Sequence, residues 1–89
     1  FIPFIQKERD PEEPKTKSVR RLSKKVIYEI EIPEVKSVDD IAISQIQNSI
    51  EIKAIGKTKS YFKILPVGLP VLKFELEKGI LSLELGTKD

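Results

Sequence analysis

The clearest structural signal in the sequence lies in the segment Phe74-Glu75-Leu76-Glu77-Lys78-Gly79-Ile80-Leu81-Ser82-Leu83-Glu84-Leu85-Gly86. On both sides of its Lys-Gly turn, apolar side chains alternate with charged or polar ones. The apolar row comprises Phe74, Leu76, Leu81, Leu83 and Leu85. This alternation predicts a β-hairpin with one apolar and one polar face.

Further segments with a period of two precede this hairpin, and each is bounded by turn or proline signals. The first apolar row starts at Val26 and stops before Pro33. The second starts at Ile41, and the third runs from Ile50 to Ala54. Alternation breaks at residues 45–47, where we expect a β-bulge. Short strands spaced by Pro and Gly predict an all-β fold, an antiparallel two-sheet β-sandwich of about seven strands.

The segment Tyr61-Phe62-Lys63-Ile64-Leu65 leaves its own register open. Either Phe62 and Ile64 or Tyr61 and Leu65 face the core, because a slip of one residue exchanges the two faces of a strand. The pair that does not face the core contributes apolar side chains to the surface.

Composition restricts the chemistry. The 89 residues contain no cysteine and no histidine, which removes thiolate nucleophiles, imidazole bases and the usual zinc ligands. We therefore expect no enzyme activity and no cofactor or metal, and the adjacent Asp39 and Asp40 are interpreted as a turn or helix start. No apolar run is long enough to cross a membrane, so we expect a soluble intracellular protein that binds no membrane and no small molecule.

The charge distribution predicts three regions. Residues 1–24 carry seven basic and four acidic side chains with three prolines, and we expect a flexible basic lead that precedes a sandwich over residues 25–86 and a tail over 87–89. Pairing could extend upstream through Val19 and Leu22. The basic run is more typical of a solvated linker than of a binding site for an acidic partner. We expect no nucleic acid to bind, because no aromatic side chains that could stack on bases accompany the run.

Two short motifs lie within this lead. The apolar cluster Phe1-Ile2-Pro3-Phe4-Ile5 either folds back on a sheet, docks on another protein, or has no role. Arg20-Arg21-Leu22-Ser23 matches a basophilic kinase target and makes Ser23 a candidate phosphorylation site. Because the chain begins with Phe1 and lacks methionine, we expect it to be a fragment of a longer protein.

The order of these elements resembles the alpha-crystallin and CS superfamily of β-sandwiches. The matching pieces are Tyr28-Glu29-Ile30-Glu31-Ile32-Pro33-Glu34-Val35, Asp39-Asp40-Ile41, Asn48-Ser49-Ile50-Glu51-Ile52, Ile64-Leu65-Pro66 and Lys78-Gly79-Ile80-Leu81-Ser82-Leu83. The match covers residues 25–86. Glu34 stands where the family usually has glycine, so the conformation of that turn is open.

Within this superfamily the chain resembles the C-terminal CS domain of Pih-type adaptors. The connection after Ala54 is short and only Thr87-Lys88-Asp89 follow the last strand, whereas small heat-shock proteins carry a longer excursion and an Ile-x-Ile tail. The resemblance implies a monomeric, cytoplasmic and nuclear adaptor that binds the tail of a TPR co-chaperone. Through it, the adaptor links heat-shock protein 90 to Rvb-type AAA+ ATPases in snoRNP assembly.

We expect the partner's tail to pair with a free sheet edge while its side chains enter apolar pockets beside that edge. The candidate surface is the region richest in apolar side chains beyond what one core face needs: Tyr61, Phe62, Ile64, Val67, Leu69 and Val71. These residues could instead cover the open end of the sandwich. Two other functions stay open, a holdase of the small heat-shock type and an unrelated β-sandwich interaction module.

Overall fold

The computed structural model describes residues 11–86, and these form two antiparallel sheets. The strands are β1 (Thr16–Leu22), β2 (Lys25–Glu31), β3 (Ile41–Ile46), β4 (Ser49–Ile55), β5 (Ser60–Leu65), β6 (Val71–Glu77) and β7 (Ile80–Gly86). The larger sheet has the order β1-β2-β7-β6 and the smaller one β3-β4-β5. The predicted all-β sandwich of about seven strands is confirmed.

The β6–β7 hairpin has the predicted register. Phe74 pairs with Leu83 and Leu76 with Leu81, so the apolar row lies on one face. The turn needs positive φ angles, which are 51° at Lys78 and 76° at Gly79. Glycine is required at the second position because a Cβ there would lie 2.8 Å from the Cα of Pro33.

The core lies between the two sheets and, within residues 11–86, is made of hydrophobic residues, with the hydroxyl of Tyr61 as its buried polar side-chain atom without a partner. Its fully buried side chains come from the central strands of each sheet: Ile30, Ile50, Ile52, Leu81, Leu83 and Leu85. Ile32 and Val35, which follow β2, are also buried.

The register of β5 is settled by its pairing with β4. Tyr61 pairs with Ala54 and Leu65 with Ile50, and both β5 residues are only 4% exposed. Phe62 and Ile64 therefore lie on the outer face of the smaller sheet.

The boundary of the sandwich expected at Lys25 is wrong. Strand β1 begins at Thr16, inside the region expected to be a flexible lead, and pairs with β2 through a two-residue turn. Composition does not reveal this strand because β1 is almost entirely exposed and is ordered by backbone pairing with β2 rather than by burial. The alternative of pairing upstream through Val19 and Leu22 is what the structure shows. The cluster at residues 1–5 lies outside the described residues.

The bulge expected at residues 45–47 is also wrong. Pairing of β3 with β4 runs without a break from Ile41 to Ile46, and Gln47 enters the turn with a φ of 44°. Register shifts occur instead in β1, between Thr16 and Ser18, and in β6, between Val71 and Lys73. The expected turn before β3 is a short 3-10 helix, Val38–Asp40, in which the N–H of Asp39 donates to the Oγ of Ser37 at 3.1 Å.

Glu34 follows Pro33 without a positive φ angle, so this position does not require the glycine that the family usually has there. Its carboxylate accepts hydrogen bonds from the N–H and Oγ1 of Thr58 at 2.7 and 2.6 Å and from the N–H of Lys59 at 3.1 Å. These bonds tie the turn after β2 to the loop between β4 and β5. Gly56 completes the contact, since a Cβ there would lie 2.6 Å from the Cβ of Glu34.

The hydrogen bonds from Thr58, and the nearby charge of Lys59, lower the pKa of Glu34 from its ordinary value. A lowered folded-state pKa means that the ionised carboxylate stabilises the fold above its unfolded-state pKa, and that this contribution is lost as the pH falls through the folded-state value. We expect Glu34→Gln to lower the free energy of unfolding at neutral pH, with the difference from the parent protein shrinking below about pH 4.5.

Urea unfolding from neutral to acidic pH measures this effect. The matched control is Glu77→Gln in β6, whose carboxylate forms no hydrogen bond or ion pair with any residue of 11–86. A constant difference between parent and Glu34→Gln across this pH range contradicts the assignment.

Candidate protein-interaction surfaces at the sheet edges

Four strands lie at sheet edges in the described part of the chain. They are β1 and β6 in the larger sheet and β3 and β5 in the smaller one. An edge strand presents a row of N–H and C=O groups that can pair with another strand. Any partner segment that joins the sandwich by strand addition must use one of these four edges.

The edge of β5 is already used by the chain itself. The N–H of Glu12 donates to the carbonyl of Ser60, and the N–H of Phe62 donates to the carbonyl of Glu12, both at 2.9 Å. Ion pairs reinforce this contact, from Lys59 to Glu12 at 3.4 Å and from Lys63 to Glu13 at 3.1 Å. Little of the β5 edge is left for a partner beyond Ile64.

The edges of β3 and β6 meet at one end through a side-chain amide. The Nε2 of Gln45 donates to the carbonyl of Leu69 at 2.8 Å, and its Oε1 accepts from the N–H of Val71 at 3.0 Å. A single amide thus supplies both bonds that a neighbouring strand would supply. It fixes the start of β6 against the end of β3.

Beyond this clamp, β3 and β6 leave part of the core uncovered. The side chains concerned are half-buried and pack against the core from the two edge strands: Ile41, Ile43, Phe74 and Leu76. We call these four residues the open side. Their partial exposure gives an extended segment something apolar to cover.

The backbone beside the open side is oriented outward. Glu77 and Ile80 flank the two-residue turn and bond to each other, and Glu75 and Ser82 form the next bonded pair. The N–H and C=O groups of Phe74 and Leu76 therefore point away from β7. Backbone groups in this orientation, next to apolar side chains, are what strand addition requires.

The structure does not bring the six predicted surface residues into one site. Tyr61 is a core residue, and its buried hydroxyl has no hydrogen-bond partner within the part of the chain described. Phe62 and Ile64 lie on the outer face of the smaller sheet, where Ile64 is 50% exposed. The remaining three are half-buried against the core, near Gln45 and the start of β6: Val67, Leu69 and Val71.

Sequence reasoning missed the open side and Gln45. The alternation of the sequence places these four apolar residues on the core-facing sides of two strands, but only the strand order shows that both strands lie at edges. The break in alternation at Gln45 was a real signal and was interpreted as a bulge. Ser23 is exposed in the β1–β2 turn, and its modification stays a prediction.

Residues 11–86 contain no group of three or more acidic, cysteine or histidine side chains placed to hold a metal ion. Over the same residues, none of the helical structure is long and apolar enough for a membrane span.

The fold is a small β-sandwich of the alpha-crystallin type. Heat shock protein 16.0 from Schizosaccharomyces pombe superposes with a TM-score of 0.72, over 89% of this chain and 69% of its own, at 13% sequence identity. At that identity the likeness shows the fold alone. No protein-family model matches the chain, and no curated protein matches its sequence.

The Gln45 clamp can be tested by a change of one group. In Gln45→Glu the carboxylate still accepts from Val71 but cannot donate to Leu69, so the carbonyl of Leu69 faces a negative charge. We expect the free energy of unfolding to fall by about 0.5–1.5 kcal/mol and the amide of Val71 to exchange faster. Gln47→Glu, the same change in the adjacent exposed turn, is the control, and equal effects at both positions would remove the clamp from the account.

Proposed function

We propose that this chain is a non-catalytic protein-interaction domain that holds an extended segment of a partner protein on its open side. The main support for this proposal is that half-buried apolar side chains on β6 lie next to backbone N–H and C=O groups that point away from the sheet. A segment paired there would cover Phe74 and Leu76 and complete the larger sheet by one strand. The sequence, which lacks histidine and cysteine, supports a binding role over catalysis.

The partner we propose is the tail of a TPR co-chaperone. The support is the sequence resemblance to the CS domains of Pih-type adaptors together with the alpha-crystallin type of fold. In this role the domain is a monomeric adaptor of the cytoplasm and nucleus. It links heat-shock protein 90, through the co-chaperone, to Rvb-type AAA+ ATPases in the assembly of snoRNPs.

A holdase of the small heat-shock type is the second candidate, favoured by the fold it shares with heat shock protein 16.0. The two functions differ in assembly state. An adaptor elutes as a monomer and binds one tail, whereas a holdase forms large oligomers and suppresses the aggregation of an unfolding client. Size-exclusion chromatography and an aggregation assay separate them.

The open side is tested by Ile43→Ser with Ile46→Ser as its matched control. Both residues lie on β3, but Ile43 faces the core whereas Ile46 is 47% exposed on the other face. We expect Ile43→Ser to weaken binding of the co-chaperone tail by about tenfold, because it removes an apolar side chain from the open side. Ile46→Ser leaves the dissociation constant unchanged in isothermal titration calorimetry.

Thermal melts of the free variants exclude unfolding as the cause. Ile64→Glu, at the remaining part of the β5 edge, is the third arm and should bind normally. Loss of binding in Ile64→Glu with Ile43→Ser unaffected would place the tail on β5 and overturn the open side as its site.

A further inference from the structure

Strand β1 is an edge strand with a strong positive charge. Residues 14–28 contain six basic side chains and no acidic one. All of β1 except Ser18 is exposed. No other strand in the described part of the chain combines an edge position with such a one-sided charge.

Most of this charge is not neutralised by carboxylates of residues 11–86. The Nη2 of Arg20 lies 3.7 Å from the Oε2 of Glu29, and the Nζ of Lys25 lies 2.9 Å from the Oε2 of Glu84. The other four basic side chains form no ion pair with a carboxylate of residues 11–86: Lys15, Lys17, Arg21 and Lys24. The potential along this edge is therefore available to a ligand.

The backbone of β1 is oriented for pairing. Leu22 and Lys25 flank the two-residue turn and bond to each other, and from there to Ser18 every second pair does the same. The N–H and C=O groups of Val19 and Arg21 consequently point away from β2, toward the free edge.

Apolar area accompanies these backbone groups. Val19 is 45% exposed and Leu22 is 50% exposed, and Val19 lies opposite the half-buried Tyr28 of β2. Val19 and Leu22 lie on opposite faces of β1, and the side chains of a strand paired at its edge would flank each of them. Outward-pointing backbone groups, positive charge and exposed apolar side chains thus all lie along the β1 edge.

We propose that the β1 edge binds an extended acidic segment of another protein by strand addition at Val19 and Arg21. This surface is separate from the open side and adds a second contact to the proposed function. Opposite charges across a strand pair stabilise it, whereas a second copy of β1 would oppose like charges. Nucleic acid fits less well because residues 16–22 include no aromatic side chain on which a base could stack.

The probe is a fluorescein-labelled peptide of alternating threonine and glutamate, about eight residues long, which is a typical strand length. Fluorescence anisotropy should show binding that weakens as salt is raised, since exposed charges are screened. The control peptide, with lysine in place of glutamate, should not bind.

Two variants at one position separate backbone pairing from charge. Arg21→Ala removes the charge and keeps the outward N–H, whereas Arg21→Pro also removes that donor without touching a bond to β2. We expect the affinity for the glutamate peptide to fall about threefold in Arg21→Ala and more than about tenfold in Arg21→Pro. Binding of the co-chaperone tail at the open side stays unchanged in both variants, so failure of one site is distinguishable from failure of the other.

A second measurement covers the case in which Arg21→Pro does not fold. The glutamate peptide methylated at alternate backbone nitrogens keeps its charge but loses donors, and it should bind the parent protein at least about tenfold more weakly than the plain peptide. Equal binding of the two peptides would reduce the interaction to diffuse attraction and overturn the proposal. Tighter binding of an oligouridine than of the glutamate peptide, or no binding of that peptide at low salt, would overturn it as well.

Discussion

The fold is held together chiefly by burial of the inner faces of the central strands β4 and β7 in one core between the two sheets. Ile50 and Ile52 on one side and Leu81, Leu83 and Leu85 on the other are fully excluded from solvent. Each such side chain contributes about 1.5–3 kcal/mol on burial, whereas a single hydrogen bond contributes about 0.5–1.5 kcal/mol. The core therefore fixes the positions of the sheets, and hydrogen bonds determine which backbone groups at the sheet edges are paired.

The edge strands are covered to different extents on the two sides of the sandwich. On one side the chain uses its own residues, since Glu12 bonds to both Ser60 and Phe62 beside β5. On the other side the amide of Gln45 joins β3 to the start of β6, and the apolar residues beyond it stay half-buried. This asymmetry, rather than the core, indicates where a partner can bind.

The sequence predicted what depends on periodicity and could not predict what depends on strand order. The β6–β7 hairpin and the alternation around Ile50 and Ile52 follow directly from a period of two. The faces of Tyr61 and Phe62 stayed undecided because both are apolar, and pairing with Ala54 settles them. Strand β1 was missed because exposed strands bury little, and the open side was missed because no local pattern marks an edge.

Amide hydrogen exchange, with and without the co-chaperone tail, shows whether the outer backbone groups of β6 stay unpaired until a partner binds. We predict that the amides of Phe74 and Leu76 exchange fast in the free domain and become protected in the complex. The amide of Phe62, already bonded to Glu12, should be protected in both states. Protection of Phe74 and Leu76 without the tail, or new protection at Phe62 alone on binding, would contradict this prediction.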